Sequence, residues 1–408
     1  MCILKTLLIL STVNKKKIIA VFTGNRAEYG LQFPVLQAIA KHADLDYRLI
    51  VSGAHLEQDF GNTLVEIQND GFKIAKAIKV NLYENTYYAV ANAIGTGVIE
   101  IGKALRDLQP DCLVVYADRF EGFAAIIAGT QMNIPTAHIE GGDLTEGGAL
   151  DDSVRHAMTK LAHLHFTTNE QSTARILKMG EELWRIHTVG LPIIDLIKNK
   201  QYASKTTIID KFHLNKAQPV IIFTQHSVAT EFEQAVVQIR TSIKALCSLA
   251  NKNNCQIIIT YPNNDLGGKA IIAELENFKK ILPPGIQIHE SLGRYLYHGI
   301  LALASNMHIV CVGNSSSGIK ETPAFGCPAV NIGTRQNGRL RGNNVLDCTY
   351  DYHAIVDKVS TCLYDTKFLE QCRNCNNPYY LGGAGVKIAN LLASTNFNAD
   401  LTKKKMTY

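Results

Sequence analysis

Short apolar runs and longer mixed segments alternate along nearly the whole chain. The runs 17–23, 47–52, 112–116, 135–139, 164–168 and 186–189 have the length and β-branched content of buried parallel strands. Between them, segments 31–42, 86–108 and 169–179 carry helical periodicity, and the second of these stops at Pro110. This strand–loop–helix rhythm predicts a doubly wound α/β domain. Gly190-Leu191-Pro192 breaks it, and a polar, Lys-rich stretch over 198–216 follows. The rhythm then restarts, with strands expected at 220–224, 256–260, 287–289, 308–312 and 329–332. Helices are expected at 231–250, 268–281 and 294–305, and a last one at 382–394. The pattern therefore predicts two Rossmann-like domains of the same type, facing each other across a cleft.

In an open parallel sheet, ligands bind at the carboxyl ends of the strands. Charge collects at those points here. Asp118 and Arg119 follow the run 112–116, and Glu140 follows 135–139. A Gly-rich loop, 141–148, leads to Asp151 and Asp152 at the start of a helix carrying Arg155 and His156. Grouped carboxylates beside a guanidinium and an imidazole suit proton transfer on a polar or anionic substrate. In the second half, GNSSSGIKE (313–321) follows a strand and opens a helix. Consecutive N–H groups and small hydroxyls there suit a phosphate, although serines capping a helix are the plain alternative. Arg335 and Arg339, after a further strand, add two guanidiniums and favour a diphosphate-bearing ligand.

Composition narrows the field. At 408 residues, 46% hydrophobic and 19% charged, the chain is long enough for two well-filled cores. The net charge of +5 is spread out, and the tight lysine runs at 15–17 and 403–405 read as solvated, not as a nucleic-acid footprint. The ten cysteines lack regular spacing, and Cys112, Cys255 and Cys311 lie in or beside strand-like runs, as buried reduced thiols of a cytoplasmic protein do. Cys372 and Cys375 form a lone CxxC without a second pair or nearby histidines, so no metal is expected. Residues 1–10 are apolar but too short to cross a bilayer, and the lysines follow the apolar run where a signal peptide has them before it. We read 1–15 as an extension or a misplaced start, and expect no membrane partner.

The motifs GNRAEYG, SGAHLEQDFGNT, ADRFEG, HIEGGD, DDSVRHAMTKLAHLHF, GNSSSGIKE and GTRQNGR occur in an order and spacing that resembles the hydrolysing UDP-N-acetylglucosamine 2-epimerases of bacterial sialic- and legionaminic-acid biosynthesis. The resemblance runs over about residues 17–395. It implies the GT-B fold, with a UDP-sugar between the domains, no cofactor, and a homo-oligomer (dimer or tetramer). It implies an N-terminal domain over 1–195 completed by a returning helix in 380–408, and a UDP-binding domain over 196–379. Asp118, Glu140 and Asp151 match the family's catalytic carboxylates, and His226 its histidine near the diphosphate. Ser315, Ser316, Glu321 and Arg335 would hold diphosphate and ribose, with Arg26 reaching in from the first loop. Arg119 and Asn263 complete the expected binding set. Non-hydrolysing relatives carry Glu-Glu followed by Asn-Arg where this chain has Asp151-Asp152-Ser153-Val154-Arg155-His156, so the hydrolysing branch is implied.

The expected chemistry follows from the acidity of the sugar. The C2 proton is weakly acidic, because the carbon bears an amide and no neighbouring carbonyl. Departure of UDP from C1 makes it removable, giving a 2-acetamidoglucal; water then adds, with protonation on the opposite face of C2. This needs a base, an acid and cations for the leaving group. Which carboxylate is the base is open at this level. Plain alternatives exist: Asp118 pairing with Arg119, Asp151 capping its helix. Glu28, His55, Arg119, Arg155 and His156 are second-rank candidates for orienting the acids or holding the cleft. UDP-2,4-diacetamido-2,4,6-trideoxyglucose is the alternative substrate, and a GT-B glycosyltransferase or a UDP-sugar sensor the alternative class.

Overall fold

A chain whose strands are apolar on both faces must cover both faces with helices. The computed structural model, which describes residues 15–56, 64–80, 86–145, 150–263 and 265–408, does this twice. The first sheet holds β1 (Lys17–Thr23), β2 (Leu45–Ser52), β3 (Ile74–Ile78), β4 (Cys112–Tyr116), β5 (Thr136–Ile139), β6 (Leu164–Thr167) and β7 (Ile186–Thr188). All pairings are parallel, in the order β3-β2-β1-β4-β5-β6-β7. Alternate residues of β1 feed opposite layers: Ile19 and Val21 join Leu36, Val114 and Phe166, whereas Ala20 and Phe22 join Ile50, Leu113 and Ala124.

The second sheet repeats the plan with β8 (Val220–Thr224), β9 (Gln256–Thr260), β10 (Ile286–His289), β11 (Ile309–Gly313), β12 (Ala329–Ile332) and β13 (Val345–Cys348). Its order is β10-β9-β8-β11-β12-β13, again parallel throughout. In each sheet the strand order reverses once, between β1 and β4 in the first and between β8 and β11 in the second. Those reversals open crevices at the carboxyl ends of the strands.

The helix Ala384–Ser394 returns to the first sheet. Ile388, Ala389 and Leu392 are buried in the same core as Ile19 and Leu36. It lies against the helix Arg26–Lys41 at Gly385, where an added Cβ would stand 2.6 Å from the Pro34 carbonyl oxygen. The Gly385 N–H donates to Asp195 Oδ2 at 2.9 Å.

Several elements depart from the sequence expectation. The edge strands β3 and β13 were not anticipated, because only Ile78 of the first is buried and no residue of the second is. Within the polar stretch 198–216 lies a helix, Lys205–Phe212, capped by Ser204 and buried through Ile208 and Phe212. The helix expected from 231 begins at Ala235, after a 3₁₀ turn, and runs to Asn253. Helices Tyr352–Tyr364 and Thr366–Arg373 were also unread. All but the last residue of the expected extension at 1–15, the whole QDFGNT segment and the end of the 141–148 loop lie outside the described residues. Among the described residues no helix is long and apolar enough to cross a membrane, and no cluster of three or more His, Cys, Asp or Glu could hold a metal ion.

Candidate active site at the facing switch points

The two reversals face each other across a cavity of about 630 Å³, in the range that encloses cofactor-sized ligands. The first sheet contributes Arg26 from the end of β1, Asp118 and Arg119 from the end of β4, and Glu140 from the end of β5. Asp151, in the first turn of the helix Leu150–Leu161, joins them. The second contributes His226 after β8, Asn263 and Asp265 after β9, Ser315 and Ser316 after β11, and Arg335 and Arg339 after β12. Every residue expected at the site lines this cavity except Glu321. That carboxylate is buried behind the serine loop, with Oε2 2.7 Å from His298 Nε2.

Backbone strain marks the strand ends. Ala117 (φ 53°) and Glu140 (φ 65°) both sit in the left-handed region, which a residue with a side chain avoids. Ladder bonds hold them there: Ala117 N donates to Ile139 O and Glu140 N to Phe166 O, each at 2.9 Å. His138 Nε2 also donates to the Ala117 carbonyl at 2.6 Å. Burial pushes His138 down to about 3, so it works as a neutral prop. Strain of this kind, fixed by surrounding bonds, is characteristic of functional sites.

The carboxylates have distinct settings. Asp118 pairs with Arg155, not with Arg119. The same guanidinium donates to Asp152 Oδ1 at 2.8 Å, to the Asp143 carbonyl at 2.9 Å and to Thr145 Oγ1 at 3.0 Å. Arg119 instead crosses the cleft to Asp265. Glu140 accepts from the Tyr116 hydroxyl at 2.5 Å and from Lys320. Asp151 is pushed above the usual carboxyl range by burial and by the charge of Asp265. Burial works to raise Asp265 as well, but Arg119 and Arg335 hold it down at about 2.

On the other wall, His226 is tied to both neighbouring loops. Its Nδ1 accepts from the Asn263 N–H at 3.0 Å, and its own N–H donates to Asn314 Oδ1 at 2.6 Å. Burial, then Arg335, pushes the ring down to about 3. The imidazole is therefore neutral at neutral pH, with its proton on Nε2. Gly313 (φ 128°) lets β11 pass β8, since a Cβ there would stand 1.9 Å from the Thr224 carbonyl oxygen. The helix after Ser315–Ser316 is one turn, Ser317–Lys320, so the serine hydroxyls and nearby guanidiniums, not a long helix dipole, make this wall anion-seeking.

Of the second-rank residues, Glu28 lines the cavity, Arg155 braces Asp118, and His55 is buried with Nε2 3.0 Å from Thr23 Oγ1. His156 does not line the cavity. The sequence reading missed Asp143, Asp265 and Lys320. Asp265 had a usable signal, being a carboxylate in the loop after a buried strand. Asp143 lay in a quoted motif without being singled out. Lys320 likewise lay in the quoted GNSSSGIKE motif, but nothing local pointed to its partners, because Glu140 and Asp143 are far away in sequence.

Two parallel-sheet α/β domains, with their switch points face to face, define a GT-B-like fold. The structure aligns with that of UDP-GlcNAc 2-epimerase from Neisseria meningitidis, solved bound to UDP-GlcNAc, at a TM-score of 0.77 and 20% identity, covering 93% of this chain and 100% of that one. The Methanocaldococcus jannaschii UDP-GlcNAc 2-epimerase, in complex with UDP-GlcNAc and UDP, aligns at 0.74 and 19%, covering 93% and 100%. At the level of sequence, the family model described as UDP-N-acetylglucosamine 2-epimerase matches residues 37–393, and the chain belongs to that family. It is 34% identical over 368 residues to the UDP-N,N'-diacetylbacillosamine 2-epimerase (hydrolyzing) of Legionella pneumophila, covering 88% of this chain and 94% of that protein. It is 32% identical over 356 residues to a UDP-N-acetylglucosamine 2-epimerase of Neisseria meningitidis, covering 86% and 89%.

Proposed function

We propose that the protein is a hydrolysing 2-epimerase of a UDP-linked 2-acetamido sugar, releasing UDP and the free 2-epimerised sugar. One observation carries this: Asp118, Glu140 and Asp151 line the same cavity as Ser315, Ser316 and Arg335. We take 1–195 with 380–408 as the catalytic-carboxylate domain and 196–379 as the nucleotide domain, a division supported by the burial of Ile388 and Leu392 in the first core.

Asp118 and Glu140, both ion-paired, are the carboxylates from which the base is drawn. It takes the C2 proton as the C1–O bond to UDP breaks, giving the 2-acetamidoglucal. Arg26, Arg335, the two serines and the Nε2–H of His226 receive the departing diphosphate. Asp151, with its raised carboxyl, suits the proton donor to the opposite face of C2 as water adds to C1. Atoms balance as UDP-sugar plus water giving UDP and free sugar. Glu140→Gln, Asp118→Asn and Asp151→Asn are each expected to lower kcat by about 100-fold or more, with UDP affinity kept, by coupled UDP-release assay and calorimetry. Loss of UDP affinity with kcat unchanged would count against the assignment.

Two sugars fit the reading. UDP-N-acetylglucosamine would yield N-acetylmannosamine for a sialic-type acid. The names of the Legionella relative and of a Campylobacter jejuni relative at 33% identity favour the 2,4-diacetamido-2,4,6-trideoxy sugar instead. Incubation with each and NMR of the released sugar decides between them. Transfer to an added acceptor, with C2 unchanged, would favour the glycosyltransferase.

A further inference from the structure

Glu140 reaches the cavity from the first sheet, but a cation that holds it comes from the second half of the molecule. Lys320 is the last residue of the single helical turn that follows Ser315–Ser316. It is 3% exposed and does not line the cavity. Its Nζ lies between the carboxylates of Glu140 and Asp143, 2.5 Å from Asp143 Oδ2. Below it the Tyr379 ring lies 5.4 Å away. With Lys320 on one Glu140 oxygen and the Tyr116 hydroxyl on the other, the carboxylate is fixed in rotation while still facing the cavity.

Adhesion between the halves explains this poorly. Burying an ammonium is costly unless geometry is good, and the halves are already joined nearer the surface. There Arg294 donates to Glu66 at 3.0 Å and to Asp70 at 2.8 Å. Asp143 also has a second cation, Arg339, whose Nε lies 3.5 Å from Oδ2. Glu140, by contrast, has its ion pair with Lys320.

We propose that Lys320 is a positioning residue for Glu140, delivered across the cleft so that the sugar-facing carboxylate is oriented and charge-balanced only when the two halves are together. The proposal rests on the epimerase reading. It assigns a role to a residue that acts through Glu140 without touching the substrate.

The test is a double-mutant cycle on UDP release from both UDP-sugars, using wild type, Lys320→Met, Glu140→Gln and the pair. Lys320→Arg serves as the conservative variant, and melting curves check folding. Lys320→Met is expected to lower kcat about 100-fold with KM within about threefold. Arginine should restore about tenfold of that loss, since it returns the charge. In the Glu140→Gln background the further loss should be less than about threefold, because residues acting as one unit are not additive. If Lys320→Met fails to fold, the same cycle is run in Asp143→Asn, where one buried negative charge leaves with the lysine. A full 100-fold further loss on top of Glu140→Gln, or a raised KM with unchanged kcat, overturns the assignment and makes Lys320 a staple. A wild-type protein that releases UDP from neither sugar overturns the epimerase reading itself, and the role of Lys320 with it.

Discussion

At the scale of single residues, burial decides what each titratable group can do. His226 moves from the ordinary 6.5 to about 3, so it serves as a neutral donor and its own titration leaves the rate unchanged between pH 5.5 and 8. His226→Gln keeps an N–H near the Nε2 position and is expected to retain about tenfold more kcat than His226→Ala, which should lose about 100-fold. Equal losses in the two variants would contradict the donor role. Glu28 shows the opposite sign. Burial, then the neighbouring Glu121, pushes it from 4.5 up to about 8. The native state therefore binds a proton that the unfolded chain releases above 4.5, and stability is lost as pH rises from there to about 8. Glu28→Gln removes that loss, so it should raise Tm at pH 9 and leave it nearly unchanged at pH 4.5. A gain of the same size at both values would exclude the mechanism. Sequence made Asp118, Glu140 and Asp151 visible because each sits at the end of an apolar run or the start of a helix. Lys320 and Arg155 were opaque in their partners: a lysine between two glutamate-like neighbours from another sheet leaves no local pattern.

Among elements, legibility followed burial. The central strands β1, β4, β8 and β9 match the runs expected from the pattern at both ends, because their residues are almost wholly buried and apolar. The edge strands β3 and β13 have one covered side at most, which erases the alternation that would reveal them. The helix Lys205–Phe212 hid within a lysine-rich stretch because two apolar residues four apart suffice to dock so short a segment. The helix Ala384–Ser394 was legible as a helix, whereas its partner was known only through the family resemblance. Its place in the first core has a measurable consequence. Leu392→Ala, which empties a fully buried site, should lower stability by about 3 kcal/mol in urea unfolding. A loss below about 1 kcal/mol would mean that the helix does not belong to that core.

On the scale of the whole molecule, two features dominate: many buried neutral imidazoles, and a reactive cavity divided between halves. His55, His138 and His226 are held at about 3, and His163 and His165 at about 4, each chiefly by burial. The unfolded chain takes up these protons near 6.5 and the native state does not, so stability falls as pH drops from about 6.5 towards 4. Five carboxyls pushed up by burial, Glu28, Glu66, Glu121, Asp151 and Asp195, oppose this, but eight imidazoles are pushed down, His156, His187 and His289 adding to the five above. Tm should therefore decline by several degrees between pH 7 and pH 5, and a flat Tm over that range would count against the buried neutral state of these rings. The divided cavity sets the central claim: carboxylates from one half exchange the C2 hydrogen of a sugar whose diphosphate the other half holds. Running the reaction in D₂O and examining the free sugar by proton NMR tests it most directly. The expected result is UDP release with inverted C2 configuration and one deuterium on C2. Release of sugar with C2 configuration retained and its proton undiluted would contradict it.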